Sequence, residues 1–266
     1  MSVRMADLYF DEPMPSQLEV DLIRYHQSPI PIPGAACTPF STIVVDLTRS
    51  QDELLSKMKS HTRYKIRRAS EKDQFAYEFS QDGDREAITR FADHLDRCAT
   101  LKHLPGASRQ LLRILARQSV LDLSLVRDKS GEILAASSYI LTPTRVRGLY
   151  AGALYRTTSD HARRTLIGRA NRFLYWRDML RFKEAGAHIF DFGGYYTGAK
   201  DEEKLRVNGF KLEFGGEVLH EFNCSIGVTL KGKMALWFIQ ERARWVLRRR
   251  LRMTQSRKES SLPASA

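Results

Sequence analysis

The sequence predicts an α/β fold in which helices flank a mixed, twisted central sheet. Strand patterns follow one another over residues 121–128, 132–142 and 145–155, and the turn-forming residues between them indicate an antiparallel meander. A segment with helical periodicity at 161–185 then precedes a further strand pattern at 188–194. A long helix between two strands of one sheet makes a crossover connection, so the sheet should contain parallel as well as antiparallel pairs.

The segments before the meander carry local signals of their own. β-Branched residues predict a strand over 41–47, and Ser50 with Glu53 forms a capping-box pattern that starts a helix. We expect that helix to continue through the basic stretch at 61–68. The next elements are predicted to be a strand at 75–80 and helices at 84–98 and 108–118.

The segments after the meander are predicted from glycine positions and apolar runs. Gly186 suits the end of the 161–185 helix, because glycine readily adopts the left-handed conformation found there. A short helix should lead to Lys211, and Gly215 with Gly216 indicates a hairpin turn. A last pair of strands is predicted between residues 217 and 227.

The chain divides into three parts by composition. Residues 1–40 hold six of the nine prolines, so we expect an irregular arm with at most one short element near residues 18–24. Residues 41–228 should form the globular domain. Residues 229–266 are expected to form a basic amphipathic helix followed by a disordered tail.

Charge and cysteine content limit the function classes. The formal net charge is +12 and the sequence pI is about 9.8, which favours a partner that carries phosphate. Three scattered cysteines and seven scattered histidines argue against a metal site and against a disulfide framework. The N-terminal residues lack the pattern of a signal peptide, so we expect a cytoplasmic protein that can lie against the inner face of the membrane.

A motif cluster between residues 163 and 223 resembles a known family. The segments RFKEAGAHIFDFGGYYTG and GFKLEFGGEVLHEFN, together with VVDLTRSQDELLSKMKSHTRYKIRRASEK near the start, are similar to Fem-type transferases, which form peptidoglycan interpeptide bridges. The resemblance is to a small, single-unit member, because the larger Fem transferases carry two such units in tandem. It implies a GNAT-like acyltransferase fold.

The resemblance also implies a reaction. Fem-type members transfer an aminoacyl group from aminoacyl-tRNA to a peptidoglycan precursor, and most GNAT enzymes use acyl-CoA. We therefore expect an acyl- or aminoacyltransferase with acyl-CoA or aminoacyl-tRNA as donor substrate and no permanently bound cofactor. The acceptor would be an amine on a cell-wall or polysaccharide precursor that is linked to a lipid or a nucleotide.

Candidate site residues follow from the same motifs. Lys211 matches the family's lysine near the donor, and Asp191 ends a predicted strand where it could orient or deprotonate the amine. Each residue also has a purely structural interpretation, in which Lys211 is a surface lysine and Asp191 is a turn aspartate. The candidates for substrate binding are Arg63, Arg67, Gly193, Gly194, Tyr195 and Tyr196.

A partial phosphate-binding motif precedes these residues. Gly168 stands where a pyrophosphate-binding loop would begin a helix, whose free backbone amides attract phosphate. The alternative is that this glycine only allows close packing of the helix. The candidates for donor phosphate binding are Arg163, Arg164, Thr165, Gly168 and Arg169.

A noncatalytic function remains as a rival hypothesis. A degenerate GNAT-like scaffold could hold RNA or membrane through its basic C-terminal segment. Residues 234–252 combine tryptophan, phenylalanine and aliphatic residues with many arginines, a mixture that fits peripheral membrane contact and an RNA-binding extension equally. The same residues fit a helix whose tryptophans simply dock on the domain.

Overall fold

The computed structural model describes residues 2–10, 19–100, 105–155, 158–242 and 245. The strands are β1 Met5–Tyr9, β2 Leu22–Ser28, β3 Ala36–Asp46, β4 Ala76–Gln81, β5 Leu121–Arg127, β6 Ile133–Leu141, β7 Arg145–Ala153, β8 Ile189–Asp191 and β9 Glu217–Gly227. The helices are α1 Gln51–Lys57, α2 Ser60–Lys72, α3 Arg85–Thr100, α4 Arg109–Arg117, α5 His161–Glu184, α6 Glu202–Leu212 and α7, residues 230–242. Ser41–Leu219 form one compact unit, and the described residues outside that range form a second.

The sheet of the Ser41–Leu219 unit is mixed, as the sequence predicted. Its strand order is β3-β8-β7-β6-β5-β4. β4, β5, β6 and β7 pair antiparallel in succession, which confirms the meander. β8 pairs parallel with β7 and antiparallel with β3. The parallel pair follows from the crossover, because α5 connects the end of β7 to the start of β8.

Apolar side chains of α5 form the centre of the core of this unit. Tyr175, Met179 and Phe182 pack with Phe190 of β8 and Ile43 of β3 in one buried cluster. The rings of Tyr175 and Phe190 meet edge to face, with centroids 6.3 Å apart. Burying each large apolar side chain contributes about 1.5–3 kcal/mol, so this cluster fixes α5 against the sheet.

Both ends of α5 carry residues of types that commonly terminate helices. The Asp160 carboxylate accepts hydrogen bonds from the backbone N–H groups of Ala162 (3.0 Å) and Arg163 (3.2 Å). At the other end Ala185 is the C-cap and Gly186 has φ 89°, a left-handed conformation that glycine adopts without steric cost. The predicted end of the helix at Gly186 is confirmed.

The segment from the capping box through the basic stretch forms two helices, where the sequence predicted one. The predicted capping box is present, since Ser50 Oγ accepts from the Glu53 backbone N–H and Glu53 Oε2 accepts from the Ser50 backbone N–H. α1 ends at Lys57, and the extended conformation of its C-cap, Met58, separates it from α2. The prediction of one continuous helix is therefore wrong. The Arg63 guanidinium donates to the carbonyl oxygen of Ser56 (3.2 Å) and so satisfies a terminal acceptor of α1.

The second unit contains regular strands where an irregular arm was predicted. β1 pairs parallel with β2, and β2 pairs antiparallel with β9. The prediction for residues 1–40 is wrong in this respect, because the closely spaced prolines between residues 29 and 33 occupy only the connection between β2 and β3. β9 is one continuous strand, whereas the sequence predicted a pair of strands between residues 217 and 227.

A disulfide joins Cys37 and Cys224 within the second unit. Their Cα atoms are 4.0 Å apart although 187 positions separate them in the sequence. The expectation that the scattered cysteines form no disulfide is therefore wrong, because β3 and β9 bring two distant residues together. Cys98 is a buried thiol that takes no part in this disulfide. Cysteine spacing consequently gives no support to a reducing compartment.

Candidate active site

A cleft of about 900 Å³ opens in the Ser41–Leu219 unit where β7 and β8 part. The parallel pairing of the two strands extends only from Arg145–Ile189 to Arg147–Asp191. Beyond that point β7 remains paired with β6, while the chain after β8 turns away towards α6. The lining includes backbone and side chains from β6, β7, α5, the segment after β8 and α6. We refer to it as the β7–β8 cleft.

Two glycines allow the backbone to come close at the point where the strands separate. Gly193 has φ 67°, and a Cβ atom placed on it would lie 2.6 Å from the carbonyl oxygen of Gly148. A Cβ on Gly148 would in turn lie 3.3 Å from the carbonyl oxygen of Phe192. A side chain at position 193 would therefore both strain the backbone and force the strands apart. Both glycines line the cleft.

Lys211 presents its ammonium group to this turn. It lies on α6 and lines the cleft, and its Nζ donates to the carbonyl oxygens of Gly193 and, at 2.7 Å, of Gly194. Burial lowers the pKa of Lys211 to about 8, because desolvation disfavours the charged form. The Asp191 carboxylate opposes this shift, and Arg147 adds to it. The group is still mostly protonated at neutral pH, and an ammonium has three N–H donors.

Asp191 lies beneath the cleft and does not line it. The residue is fully buried, and its Oδ1 accepts hydrogen bonds from the Thr42 hydroxyl and from the Gly193 backbone N–H, the latter at 2.7 Å. Its Oδ2 accepts from Arg145 Nε at 3.1 Å and from the same guanidinium's Nη2 at 2.5 Å. The carboxylate thus joins β3, β7 and the turn after β8, and both of its oxygens are engaged.

The cleft carries an excess of positive charge. The charged side chains that line it are Arg147, Arg164, Arg172, Glu203, Arg206 and Lys211. Arg172 is tied to Glu213 at 2.5 Å and lies over the Phe210 ring, 5.0 Å from its centroid. The remaining cations outnumber the single carboxylate, so the cleft is suited to a substrate that carries phosphate.

The predicted pyrophosphate motif lies inside α5 and not at its start. The helix begins at His161, so the Gly168 amide belongs to the helix interior. A Cβ on Gly168 would lie 3.1 Å from the Tyr155 hydroxyl oxygen, which agrees with the packing alternative for this glycine. The backbone amides of Ala162 and Arg163 at the real helix start donate to the Asp160 carboxylate, whose negative charge would repel a phosphate.

The other residues of that motif have separate environments. Arg163 forms ion pairs with Asp128 and Glu132, and Arg169 forms one with Asp73. Thr165 is exposed. Arg164 alone of the five donor-site candidates lines the cleft, where its Nε donates to the carbonyl oxygen of Thr158.

The candidate residues on α2 and after Gly194 lie outside the cleft lining. Arg63 holds the end of α1 and Arg67 is exposed on α2. Tyr195 packs against the central core cluster. The Tyr196 ring lies 5.0 Å from Lys204 Nζ, and its backbone bonds to the Asn208 side chain. Of the predicted site residues the structure brings together Gly193, Gly194, Lys211 and Arg164, with Asp191 directly beneath.

Sequence reasoning missed the partners that come from β7. Arg145 pairs with Asp191, and Arg147 and Tyr150 line the cleft. It also missed a buried cysteine–histidine pair on α3, where Cys98 Sγ lies 3.6 Å from His94 Nε2. The four-residue spacing of that pair was visible in the sequence. Burial lowers the pKa of His94 to about 4, so the ring is neutral and cannot stabilise a thiolate as an imidazolium would.

The mixed sheet, the crossover helix and the cleft at the parting strands define the GNAT-like acyltransferase fold, as the resemblance implied. No protein-family model matches the sequence, and no curated protein matches it.

Particular solved structures share this fold at low sequence identity. The chain is similar to FemX, with a TM-score of 0.55 and 16% identity over 69% of this chain and 61% of that chain. It is similar to the C-terminal domain of a putative lysylphosphatidylglycerol synthetase from Agrobacterium fabrum, with a TM-score of 0.53 and 15% identity over 81% and 71%. The L-PGS of Bacillus licheniformis matches with a TM-score of 0.51 and 12% identity over 81% and 71%. The chain spans less than two thirds of the length of FemX.

Proposed function

We propose that the chain transfers an acyl or aminoacyl group to an amine in the β7–β8 cleft. The observation that carries this proposal is the position of Lys211. Its partly desolvated ammonium is anchored on the carbonyl oxygens of Gly193 and Gly194 at the point where the strands part. A fixed cation in a water-poor site is well suited to stabilise negative charge that develops on an acyl oxygen.

An aminoacyl ester is the favoured donor. The start of α5 holds a carboxylate, so it lacks the free amides on which a CoA pyrophosphate could bind. The basic cleft suits a phosphate-bearing donor such as charged tRNA. One similar structure is named as a putative lysylphosphatidylglycerol synthetase, a name that denotes an aminoacylated lipid product. Acyl-CoA is the second candidate donor, and the acceptor is an amine on a cell-envelope precursor.

The chemistry requires no covalent enzyme intermediate. The neutral amine of the acceptor attacks the carbonyl carbon of the donor ester and forms a tetrahedral oxyanion. Two N–H groups of Lys211 bond to Gly193 and Gly194, and the third donates to that oxyanion. The C–N bond is then retained and the C–O bond of the ester breaks. The departing hydroxyl oxygen receives the proton that the amine loses.

Asp191 acts in this scheme as a positioning residue. Its Oδ1 accepts from the Gly193 N–H, and so it fixes the turn whose carbonyl oxygen in turn accepts from Lys211. Arg145 neutralises the carboxylate from β7. The acceptor amine therefore contacts the backbone turn and Lys211, whereas Asp191 fixes that turn from its buried side.

Substitution of Lys211 tests the proposal. Lys211→Ala should lower kcat by about 100-fold, the usual cost of one oxyanion donor, with little change in melting temperature. Lys204→Ala on the same helix is the control, because Lys204 is exposed and lies outside the cleft lining. Initial rates would be measured with aminoacyl-tRNA and acyl-CoA donors. Equal rates for the Lys211→Ala variant and the control would remove Lys211 from the mechanism.

The pH profile separates the proposed role from a purely structural one. The Lys211 ammonium loses its proton as the pH rises through about 8, so kcat should fall on the alkaline side. Lys211→Arg keeps a charged donor at high pH, and its profile should lack that fall. A rise in kcat through the same range that disappears in Lys211→Arg would instead identify the lysine as a base.

Ligand-induced stabilisation distinguishes the donors and the rival hypothesis. Charged tRNA should raise the melting temperature more than uncharged tRNA does, because only the charged form carries the ester. Stabilisation by acyl-CoA alone would assign the second donor. Equal, salt-sensitive stabilisation by every polyanion, with no transfer to any amine, would favour a noncatalytic binding module.

A further inference from the structure

The helix α7 exposes an unusual amount of apolar surface. Leu230, Met234, Trp237 and Phe238 are all exposed, with 56% of Trp237 and 60% of Phe238 accessible. The rings of Trp237 and Phe238 contact each other edge to face, with centroids 4.9 Å apart. Solitary exposed apolar residues are ordinary, but a contiguous group of this size marks an interaction surface.

These residues lie on one side of the helix. At 3.6 residues per turn, positions 230, 234, 237 and 238 fall within a sector of about 100°. Lys233 lies beyond one edge of the sector, and Lys231 and Arg242 lie beyond the other. Ile239 points almost opposite to the sector and is also exposed. We call the sector formed by Leu230, Met234, Trp237 and Phe238 the apolar stripe.

The start of α7 is held firmly within its own unit. The Asp21 carboxylate accepts from the Thr229 hydroxyl at 2.9 Å and pairs with Lys231 Nζ at 3.4 Å. The Asp21 carbonyl oxygen accepts from the Val228 N–H at 2.8 Å. A Cβ on Gly232 would overlap that carbonyl oxygen, so only glycine permits this approach. The helix is therefore presented in a fixed orientation.

We propose that α7 docks on the surface of an anionic lipid bilayer through the apolar stripe. An aliphatic and aromatic stripe flanked by cations on both edges is the arrangement of a helix that lies in the membrane interface. The sequence continues past Arg242 with arginines at 244, 248, 249, 250 and 252, which add attraction to anionic headgroups. No helix in the described ranges combines the length and apolarity needed to cross a bilayer.

Lipid fits these observations better than RNA does. RNA-binding surfaces stack bases on aromatic rings, but Leu230 and Met234 offer no ring and still occupy half of the stripe. Glu241 lies within the same sector and opposes contact with an anionic surface. This docking surface is independent of the transfer reaction and would persist in a catalytically dead protein.

Tryptophan fluorescence of the full chain gives a direct test. The three tryptophans are Trp176, Trp237 and Trp245, and Trp176 is buried in the core of the larger unit. Vesicles of phosphatidylcholine with phosphatidylglycerol should shift the emission to shorter wavelength, and vesicles of phosphatidylcholine alone should do so weakly. Trp237→Phe should remove a large part of the shift, because it removes a reporter within the stripe.

Matched variants test the orientation. Trp237→Ala should weaken partition into the anionic vesicles about 10-fold, measured by sedimentation. Ile239→Ala removes an equally exposed apolar side chain from the opposite side and should leave partition unchanged. Glu241→Gln should strengthen it. Circular dichroism would verify that each variant retains its helix content.

Salt dependence identifies the competing partners. Raised salt should weaken vesicle binding only in part, because the apolar contribution remains. Equal losses for Trp237→Ala and Ile239→Ala, or binding to vesicles without a fluorescence shift, would overturn the proposal. Tight binding to RNA that raised salt abolishes, with no binding to vesicles, would identify a nucleic-acid surface and overturn it too. A dimer formed through the stripe, lost in Trp237→Ala and indifferent to lipid, would do the same.

Discussion

Asp191 and Asp178 of the larger unit are both fully buried, and they are held in different ways. Asp191 lies under the β7–β8 cleft against the Arg145 guanidinium, which donates from two nitrogens. Asp178 lies on α5 and accepts from the hydroxyls of Tyr139 (2.6 Å), Tyr77 (2.7 Å) and Ser124 (2.8 Å). Its Arg181 neighbour is 3.9 Å away and bonds to Asp122 instead. One carboxylate is neutralised by a cation in contact, and the other depends mainly on hydroxyls.

The difference has a consequence for protonation. Desolvation raises the pKa of Asp178 to about 6, and the hydroxyl bonds and Arg181 offset only part of that effect. The perturbed acid lies in the hydrogen-bonded cluster beneath α5. Asp178 itself does not line the cleft, but its partner Tyr139 does. The Lys211 ammonium, whose pKa burial lowers, lines the cleft together with Tyr139, Tyr155 and Tyr175, whose pKa values burial raises. A shifted carboxyl pKa by itself would have pointed to Asp178, which does not line the cleft.

Removal of the cation beside Asp191 should have the largest effect. Arg145→Met leaves a buried, uncompensated carboxylate and should lower the free energy of unfolding by about 3–5 kcal/mol. The control is Arg127→Met on β5, whose ion pair with Glu78 is partly exposed and should contribute about 0–1 kcal/mol. Urea denaturation of both variants measures the difference.

A double variant separates lost charge from lost packing. Arg145→Met with Asp191→Asn removes both charges, and it should regain much of the stability that Arg145→Met alone loses. An additive loss in the double variant would contradict the account of Asp191 as a neutralised ion.

The second prediction concerns the pH dependence that Asp178 produces. The folded protein binds this proton more tightly than the unfolded chain does, because the pKa of Asp178 is about 6 in the folded state in place of its ordinary value of 3.8. Stability from this group is therefore greatest at low pH and falls by about 2 kcal/mol as the pH rises from about 4 to about 6. Asp178→Asn should flatten that fall in urea denaturation series.

An exposed aspartate provides the control for this slope. Hydrogen bonding from Thr48 lowers the pKa of Asp46, so it titrates below the range in question. Asp46→Asn should leave the fall between pH of about 4 and about 6 in place. An unchanged slope in Asp178→Asn would show that another group causes the fall.

Local features of the fold were predictable because their causes lie in adjacent residues. The Ser50–Glu53 capping box, the meander and the glycine end of α5 each depend on a few consecutive positions. The sequence also contains a signal against placing Gly168 at the start of a helix, since Asp160 is a recognisable N-cap eight residues earlier.

Other features depend on pairing between distant strands. Arg145 meets Asp191 only because β7 and β8 run parallel, and Cys37 meets Cys224 across 187 positions. The sequence offers no local signal for either contact. Lys211 was found through resemblance to a family, whereas its acceptors, Gly193 and Gly194, are carbonyl oxygens that any residue supplies. A functional residue such as Lys211 could therefore be identified from the sequence, but the groups that it contacts in the fold could not.

The smallest expected effect comes from a single hydroxyl at Asp191. Thr42→Val keeps the side-chain shape and removes one donor, so it should cost about 1–2 kcal/mol because Arg145 and the Gly193 N–H still hold the carboxylate. Ser124→Ala is the counterpart at Asp178. It should raise the pKa of that acid further and steepen the fall of stability with pH, since hydroxyls are its main support there. Free energies of unfolding, measured for both variants at two pH values, distinguish a constant loss in Thr42→Val from a pH-dependent loss in Ser124→Ala. A loss in Thr42→Val as large as that in Arg145→Met would mean that the hydroxyl, rather than the cation, secures Asp191.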